Sequence, residues 1–263
     1  MFGFRTIVLY SDFGPASRYA GMMKGVIRCI APEAFIIDGA HDIPKYDIIS
    51  GAFILGSAWR YFPDGTIHLI VVDPGVGSAR RSIIACVDSH FFVAPDNGLL
   101  SLPLIHKKCG PIFELKNPEY RLKTVSDTFY GRDVFASAAA YLSCGINPEK
   151  FGEKIINPLK LDIFRTEKDG NVVKGRVIMS DSFGNIITNI SSDDISKVNP
   201  LRMSVTLKGK TIEGLSRCYS DVAEGKMLAL IGSSGFLEVS CCKGNAATQL
   251  KSKTGDSIKV KVK

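Results

Sequence analysis

Apolar residues in the first 150 positions follow two spacings, one typical of buried strands and one typical of helices. Continuous apolar runs at 5–10 and 66–73 predict strands that are buried on both faces, at the centre of a sheet covered by helices. The other elements that spacing predicts here are strands at 34–38, 82–87 and 90–94, and helices at 19–30, 47–61, 97–106 and 132–143. This alternation predicts an α/β N-terminal domain over residues 1–155, with a central and mostly parallel sheet.

The pattern changes after about residue 150. The segment 156–170 belongs to a polar stretch with weak periodicity, which predicts a linker. Short β runs separated by turns follow it, and they predict a smaller all-β, barrel-like C-terminal domain over residues 171–263. The predicted strands are 172–179, 185–190, 202–209, 226–232, 235–241 and 257–263, with a short helix near Asn245.

Composition narrows the class of protein. The chain has 263 residues and a net charge of +7, but its basic residues are dispersed, and no basic stripe is interleaved with aromatic residues. We therefore expect no binding to nucleic acid. No apolar run approaches the ~20 residues that span a bilayer, so we expect no membrane segment. The seven cysteines form no CxxC pair, which indicates free thiols in a reducing compartment, the cytoplasm.

Acidic and glycine-rich turns follow several of the predicted strands or precede predicted helices. Because ligands of α/β proteins sit outside the carboxyl ends of the strands, carboxylates from several such turns can converge on one ligand. The pattern therefore indicates a polar small-molecule site. The turns are Ser11–Gly14, Val71–Gly77, Ala94–Gly98, Phe129–Asp133 and Asp181–Asn185.

Each turn also has a purely structural interpretation. Asp12 is placed to accept hydrogen bonds from a ribose diol, or else it is a turn or N-cap residue. Phe129 is suited to stack on a flat ligand, with Gly131 admitting a close backbone approach, or else it is a buried aromatic beside a glycine turn. Asn185 is suited to read the edge of a base, or else it belongs to an Asx turn.

The loop from Val71 to Arg81 raises two further possibilities. It does not fit a phosphate-binding loop, because it lacks a GK[ST] ending and leads into a strand. Asp73, Asp96 and Asp133 would together suit a carboxylate metal site, but no His or Glu lies in suitable register. We therefore predict no bound metal.

In this order, the turns resemble those of the S-adenosylmethionine (SAM) hydroxide adenosyltransferase family, relatives of the SAM chlorinases and fluorinases. The resemblance extends from Asp12-Phe13-Gly14 to Gly244-Asn245-Ala246-Ala247. It implies an α/β domain followed by a β domain, and a homotrimer that holds SAM between one subunit's N-terminal domain and its neighbour's C-terminal domain. It also implies that water attacks C5′ of SAM to give adenosine and methionine, with no cofactor.

The same resemblance implies roles for individual residues. Asp73 and Arg80 fall on the family's catalytic Asp and Arg, and Tyr130 stands where the family has a His. The implied substrate contacts are Asp12, Tyr46 and Phe129 around the sugar, Gly131 at the nucleophile, Ser17 in the first loop, Asp181, Ser233 and Ser234 around the methionine groups, and Asn185, Tyr219 and the Ala246 backbone around adenine.

Several departures from the family pattern leave alternatives open. Tyr130 makes the turn similar to that of the halogenating relatives, yet those carry a tyrosine where this chain keeps Asp73. The fluorinases also have a long insertion where only Ser82 to Phe92 intervenes here. Ser17 replaces an Asp of many relatives, and Ser234 replaces an Arg of the fluorinases. The hypotheses are a SAM hydrolase, a chlorinase-like enzyme, a non-catalytic SAM- or adenosine-binding protein, and a metal-dependent phosphohydrolase.

Overall fold

The structure, a computed structural model, describes residues 6–195 and 199–262. It divides into two compact units, and the division falls between Leu161 and Asp162. Positions 5 and 263, at the ends of two predicted strands, lie outside the described residues. Within the described part of the chain, no helix has both the length and the apolarity needed to cross a membrane.

The first unit contains a mixed sheet of seven strands in the order β2-β1-β3-β5-β4-β6-β7. Strands β2, β1, β3 and β5 are parallel to one another, and the pairs that involve β4, β6 and β7 are antiparallel. The predicted α/β class is therefore confirmed. The strands are β1 Thr6–Ser11, β2 Phe35–Ala40, β3 Ile67–Val71, β4 Ser82–Val87, β5 His90–Pro95, β6 Cys109–Glu114 and β7 Lys154–Ile155.

Helices pack against this sheet, and the sheet separates two hydrophobic clusters, one on each of its faces. Ile7 and Leu9 of β1 belong to one cluster, whereas Val8 and Tyr10 belong to the other. Because successive strand residues point to opposite faces, this division explains why the strand is apolar throughout. The helices of this unit are α1 Arg18–Ile30, α2 Ile48–Ala58, α3 Ser101–Leu104 and α4 Ser137–Ser143, and a π-helical segment, Gly131–Ala136, leads into α4.

The helix predicted over 97–106 is shorter in the structure. Its start is taken up by a turn in which the Asn97 side chain accepts a hydrogen bond from the Leu99 amide at 3.3 Å. Gly98 has a φ of 103°, outside the helical region. The side-chain hydrogen bond of Asn97 and the positive φ of Gly98 favour a turn at these two positions. The α-helix is therefore limited to Ser101–Leu104.

The second unit is an antiparallel sheet in the order β12-β11-β15-β9-β10-β14-β13, with β8 paired to β9. Its apolar side chains form a single cluster that includes Val205, Leu237, Val239 and Val260. The predicted all-β, barrel-like class is confirmed. The elements are β8 Glu167–Asp169, β9 Val172–Ser180, β10 Ile186–Ser191, α5 Ser192–Ile195, β11 Met203–Leu207, β12 Lys210–Glu213, β13 Met227–Ile231, β14 Phe236–Cys241, α6 Ala246–Leu250 and β15 Ser257–Val262.

Candidate active site

A cavity of about 310 Å³ opens in the first unit, beside the carboxyl ends of β1 and β3. This is the edge of an α/β sheet at which ligands bind. Both strands deliver an aspartate to it, Asp12 directly after β1 and Asp73 two residues after β3. The lining residues are Asp12, Phe13, Tyr19, Lys45, Tyr46, Val71, Asp73, Val76, Thr128, Phe129, Tyr130 and Gly131.

Asp73 is held by a two-point ion pair with Arg80. The Arg80 Nε donates to Asp73 Oδ1 at 2.7 Å, and Nη2 donates to Oδ2. The Asp73 side chain is 5% exposed and the Arg80 side chain is 10% exposed. Arg80 Nη1 also donates to the Arg81 carbonyl at 3.2 Å and to the Ser82 hydroxyl at 3.0 Å. The arginine is thus fixed by the start of β4, and its planar fork fixes the Asp73 carboxylate in turn.

Tyr130 lies against the same arginine. The Arg80 guanidinium carbon is 5.2 Å from the centre of the Tyr130 ring and 5.3 Å from the centre of the Phe135 ring. Both contacts fall within the range of cation–π interactions. The three residues predicted to be catalytic, Asp73, Arg80 and Tyr130, therefore form one connected group, and Asp73 and Tyr130 line the cavity.

Asp12 is tied to the loop that carries Tyr46. Its Oδ2 accepts a hydrogen bond from the Tyr46 amide at 2.8 Å, and Tyr46 has a φ of 65°. Tyr46 is 70% exposed, so it is only partly packed within its own unit. Within the described residues, Asp12 Oδ1 accepts no hydrogen bond, which leaves one carboxylate oxygen of a nearly buried residue available at the cavity.

Aromatic rings form another part of the cavity wall. The Phe129 ring makes edge contacts with Phe13 and Tyr19, with centroid distances of 5.8 and 5.0 Å. Gly131 is the first residue of the π-helical segment, and a Cβ there would lie 2.9 Å from the Phe129 ring. Glycine is therefore required for the close packing that keeps Phe129 at the cavity.

Ser17 is not among the residues that line this cavity. It is the N-cap of α1, where its side chain accepts a hydrogen bond from the Tyr19 amide at 3.1 Å. Serine is a favoured N-cap residue because its oxygen satisfies one of the unpaired amides of the first turn. In this unit, its observed contact is structural.

The aspartates of the metal hypothesis are each engaged by a separate arginine. Besides Asp73, Asp96 accepts from the Arg81 Nε at 2.8 Å, and Asp133 accepts from the Arg132 Nε at 2.5 Å. No group of three or more His, Cys, Asp or Glu residues with the geometry of a metal site occurs among residues 6–195 and 199–262. These carboxylates therefore do not converge as the metal hypothesis requires.

The second unit has a cavity of its own, of about 650 Å³. It is formed by the loop after β9, the loop that carries Tyr219, the β13–β14 hairpin and the end of β14. Four of the predicted contacts line it. The lining residues are Asp181, Phe183, Asn185, Tyr219, Ser233, Glu238, Cys241, Lys243 and Gly244.

The Asp181 carboxylate is occupied by its own loop. Its Oδ1 accepts from the amides of Phe183 and Asn185, both at 2.9 Å, and its Oδ2 accepts from the Asn185 side-chain nitrogen, also at 2.9 Å. This is an Asx-type turn, and it engages one of the two N–H donors of the Asn185 side chain. Asp181 thus shapes the loop that lines the cavity.

The same loop packs on the start of α6. Gly184 has a φ of 82°, and a Cβ there would overlap the Asn245 side chain. The Gly184 carbonyl accepts from the Ala247 amide at 3.0 Å, and Asn245 caps the helix by accepting from the Thr248 amide at 2.7 Å. Ala246 is fully buried at this junction and is not among the residues that line the cavity.

The β13–β14 hairpin carries the two serines. Ser233 is exposed and lines the cavity, whereas the Ser234 hydroxyl is buried and has no hydrogen-bond partner among the described residues. A buried hydroxyl without a partner is costly, so this hairpin tip is one place where a ligand atom would complete the hydrogen bonding.

Glu238 is a residue that sequence reasoning missed. It is 5% exposed, and its Oε2 accepts from the Tyr219 hydroxyl at 3.0 Å. Burial, followed by the nearby Asp181, raises the pKa of Glu238, while burial and Glu238 raise the pKa of Tyr219 to about 12. The available signal was a charged residue between Leu237 and Val239, in a strand whose other residues are apolar except for Ser240.

A cavity at the carboxyl edge of an α/β sheet, with a fixed Asp–Arg pair and aromatic walls, is characteristic of an enzyme that acts on a small polar molecule. Residues 7–152 match the SAM hydroxide adenosyltransferase N-terminal domain, and residues 175–259 match the C-terminal domain of the same family. The chain belongs to the SAM hydroxide adenosyltransferase family.

Individual relatives cover nearly the full length. An (R)-S-adenosyl-L-methionine hydrolase of Thermus thermophilus is 35% identical over 97% of this chain and 99% of its own. A fluorinase of Nocardia brasiliensis is more distant, at 26% identity over 99% of this chain and 98% of its own. A crystal structure of an uncharacterized conserved protein from Thermotoga maritima superposes with a TM-score of 0.89, at 34% identity, covering 97% and 99% of the two chains.

Proposed function

We propose that this chain hydrolyses SAM to adenosine and L-methionine. The observation that carries the proposal is the buried Asp73–Arg80 pair, placed at a cavity that Asp12 and Tyr130 also line. The relative named as a hydrolase and the greater distance to the fluorinase support the choice of water as the nucleophile.

The chemistry needs a well-placed water more than it needs an acid. The water oxygen forms a bond to C5′ while the C5′–S bond breaks, and the bonding pair leaves on the sulfonium sulfur, which becomes the neutral thioether of methionine. One water proton is released. Asp73 orients the water and accepts its proton, and Arg80 keeps the carboxylate in place. Tyr130, packed on Arg80, closes the pocket beside them.

The remaining residues divide the substrate between them in this proposal. Asp12 binds the ribose hydroxyls through its free oxygen, Gly131 leaves room for the nucleophile, and Ser17 supports the first loop as a helix cap. The other proposed contacts are Tyr46 and Phe129 with the sugar, Asp181, Ser233 and Ser234 with the methionine groups, and Asn185, Tyr219 and the Ala246 backbone with adenine.

We further propose a cytoplasmic homotrimer, in which each SAM lies between the domain 1–155 of one subunit and the domain 171–263 of its neighbour, with 156–170 as a linker. Most of the proposed contacts line cavities on two separate units, which supports a composite site. The seven free cysteines support a reducing compartment. Light scattering at micromolar concentration tests the assembly, and a monomer would contradict it.

The function is tested by product analysis. The purified protein is incubated with SAM alone, with added chloride, and with either a divalent metal ion or a chelator. Adenosine and methionine in equal amounts, independent of chloride and metal, are the expected result. Chlorinated adenosine would instead identify a chlorinase, and SAM bound without turnover would identify a binding protein. Activity only on phosphate esters with added metal would identify a phosphohydrolase.

A further inference from the structure

Glu238 is a buried carboxylate without a cationic partner. It lies on β14, the strand between β10 and β13, and only 5% of the residue is exposed. No lysine or arginine of the described chain lies within 4.0 Å of its carboxylate. A buried, unpaired carboxylate is strongly unfavourable, and proteins usually pair such a charge. The pairing group must therefore come from outside this unit if the residue is charged in the working protein.

The other charged residues of the cavity do not supply that partner. Lys243 lines the cavity, but its ammonium group pairs with Glu224 at 3.1 Å and is largely exposed. Asp181 adds a second negative charge, and its oxygens accept three hydrogen bonds from its own loop. Glu238 is therefore the carboxylate of this cavity with acceptor capacity to spare.

The surroundings fix the Glu238 carboxylate in position. The Tyr219 hydroxyl donates to Oε2 at 3.0 Å, which leaves Oε1 for another donor. Gly232 makes room for the group, because a side chain there would overlap the Glu238 carboxyl. The Ser234 hydroxyl, two residues further along the same hairpin, is buried and lacks a partner. Within the described residues, two atoms of this hairpin thus lack a hydrogen-bond partner: Glu238 Oε1, on a residue that lines the cavity, and the Ser234 hydroxyl, next to the cavity-lining Ser233.

We propose that Glu238 binds the protonated amino group of the amino-acid half of SAM. This inference rests on the proposed function, since it takes SAM as the ligand. An ammonium group supplies both the positive charge and the N–H donors that this carboxylate lacks. The sulfonium has charge but no donor, and adenine has donors but no charge. The ammonium is the one part of SAM that meets both requirements.

The test compares ligands that differ in this group. We expect Glu238→Gln to weaken binding of S-adenosylhomocysteine, which carries the amino group and no sulfonium, by about 10- to 100-fold in calorimetry. The same variant binds adenosine, which has no amino acid, with wild-type affinity. Equal weakening of both ligands would reduce Glu238 to a structural role, and no weakening would remove it from the site. Either outcome overturns the proposal.

Two additional measurements keep the test independent of folding and of turnover. Glu167→Gln, on the exposed strand β8 of the same unit, is the matched control and keeps both affinities. N-acetyl-S-adenosylhomocysteine lacks the positive charge of the amino group. We expect the wild-type protein to bind it as weakly as Glu238→Gln binds S-adenosylhomocysteine. Equal wild-type affinity for the two compounds would overturn the proposal even if the variant did not fold. A wild-type protein that binds no adenosyl ligand and releases no adenosine refutes the proposed function itself.

Discussion

At the scale of single residues, Arg80 is the organising side chain of the first cavity. It holds both oxygens of Asp73 and lies under the Tyr130 ring, and its own position is set by the start of β4. Because the Asp73 carboxylate is fixed before any substrate arrives, a water molecule in the cavity meets a preorganised acceptor. Preorganised groups assist a reaction without reorganising during it, which suits the displacement of a good leaving group by a weak nucleophile.

Asp73→Asn should lower the rate of SAM hydrolysis by roughly 10²- to 10⁴-fold, the usual contribution of a general base. The amide keeps the shape of the side chain and loses the proton acceptor, so affinity for adenosine should stay near wild type. Single-turnover kinetics and calorimetry measure the two effects. Asp96→Asn is the matched control, since Asp96 pairs with Arg81 and does not line the cavity. A wild-type rate in Asp73→Asn would assign water activation to another group.

Tyr130 gives a second prediction at this scale. Tyr130→Phe keeps the ring on Arg80 and removes the hydroxyl, so we expect a lower rate with unchanged folding. Tyr130→His keeps an aromatic face and introduces a group that titrates near neutral pH, so we expect a higher rate and a new limb in the pH–rate profile near pH 6–7. If both variants match the wild-type profile, the tyrosine is a packing residue and takes no part in the reaction.

At the scale of elements, the sites depend on loops that pack tightly onto helix starts. In the first unit, the π-helical segment places Phe129 and Tyr130 at the cavity directly before it, and irregular helical turns of this kind are frequent at functional sites. In the second unit, the Asp181–Asn185 loop rests on the first turn of α6 through Gly184. These junctions determine where the side chains of the cavity walls point.

Gly184→Ala should destabilise the second unit by more than the roughly 1–2 kcal/mol that a left-handed backbone conformation costs a non-glycine residue. The added methyl overlaps Asn245 as well as straining the backbone. Gly209→Ala is the matched control, because Gly209 has a similar φ of 78° and no heavy atom within 4 Å of a Cβ. Urea unfolding followed by circular dichroism measures both. Equal losses of stability in the two variants would show that the contact with Asn245 relaxes without cost.

At the scale of the whole molecule, each unit has its own core, and the histidines are confined to the first unit. His68 and His90 are buried there, joined by a hydrogen bond between ring nitrogens at 3.2 Å. Burial, followed by the charge of His90, lowers the pKa of His68 from 6.5 to about 3. The folded chain therefore keeps His68 neutral at a pH at which the unfolded chain protonates it.

The stability of the first unit should therefore fall as the pH is lowered from 6.5 towards 3. The unfolded state binds the additional proton, so His68 alone contributes a loss of up to about 1.4 kcal/mol per pH unit. Trp59 is the only tryptophan and is buried beside His90, so its fluorescence reports the unfolding of this unit. His68→Gln should have a shallower acid dependence than wild type. An unchanged dependence would mean that other groups, chiefly carboxylates, dominate the acid unfolding.

The periodicity of apolar residues predicted most of the longer strands and helices of both units. Buried strands such as β3 and amphipathic helices such as α1 are local consequences of the sequence, so their positions were predicted to within a few residues. Strand β6 was missed, since Gly110 and Pro111 weaken the strand signal and pairing with β4 overrides it. The order of the turns also indicated the family and the pair of Asp73 and Arg80.

What only the tertiary structure decided is which polar groups have partners. Asp73, Asp96 and Asp133 look equivalent in the sequence. The fold pairs each with a different arginine, and of the three only Asp73 lines the first cavity. Glu238 stands between apolar residues in the sequence, but only the folded sheet shows that it is buried beside Tyr219 without a cation. The positions of helices and strands follow from the local sequence, because they depend on the backbone and on neighbouring side chains. Burial and charge pairing depend on residues distant in the chain, so only the folded protein determines them.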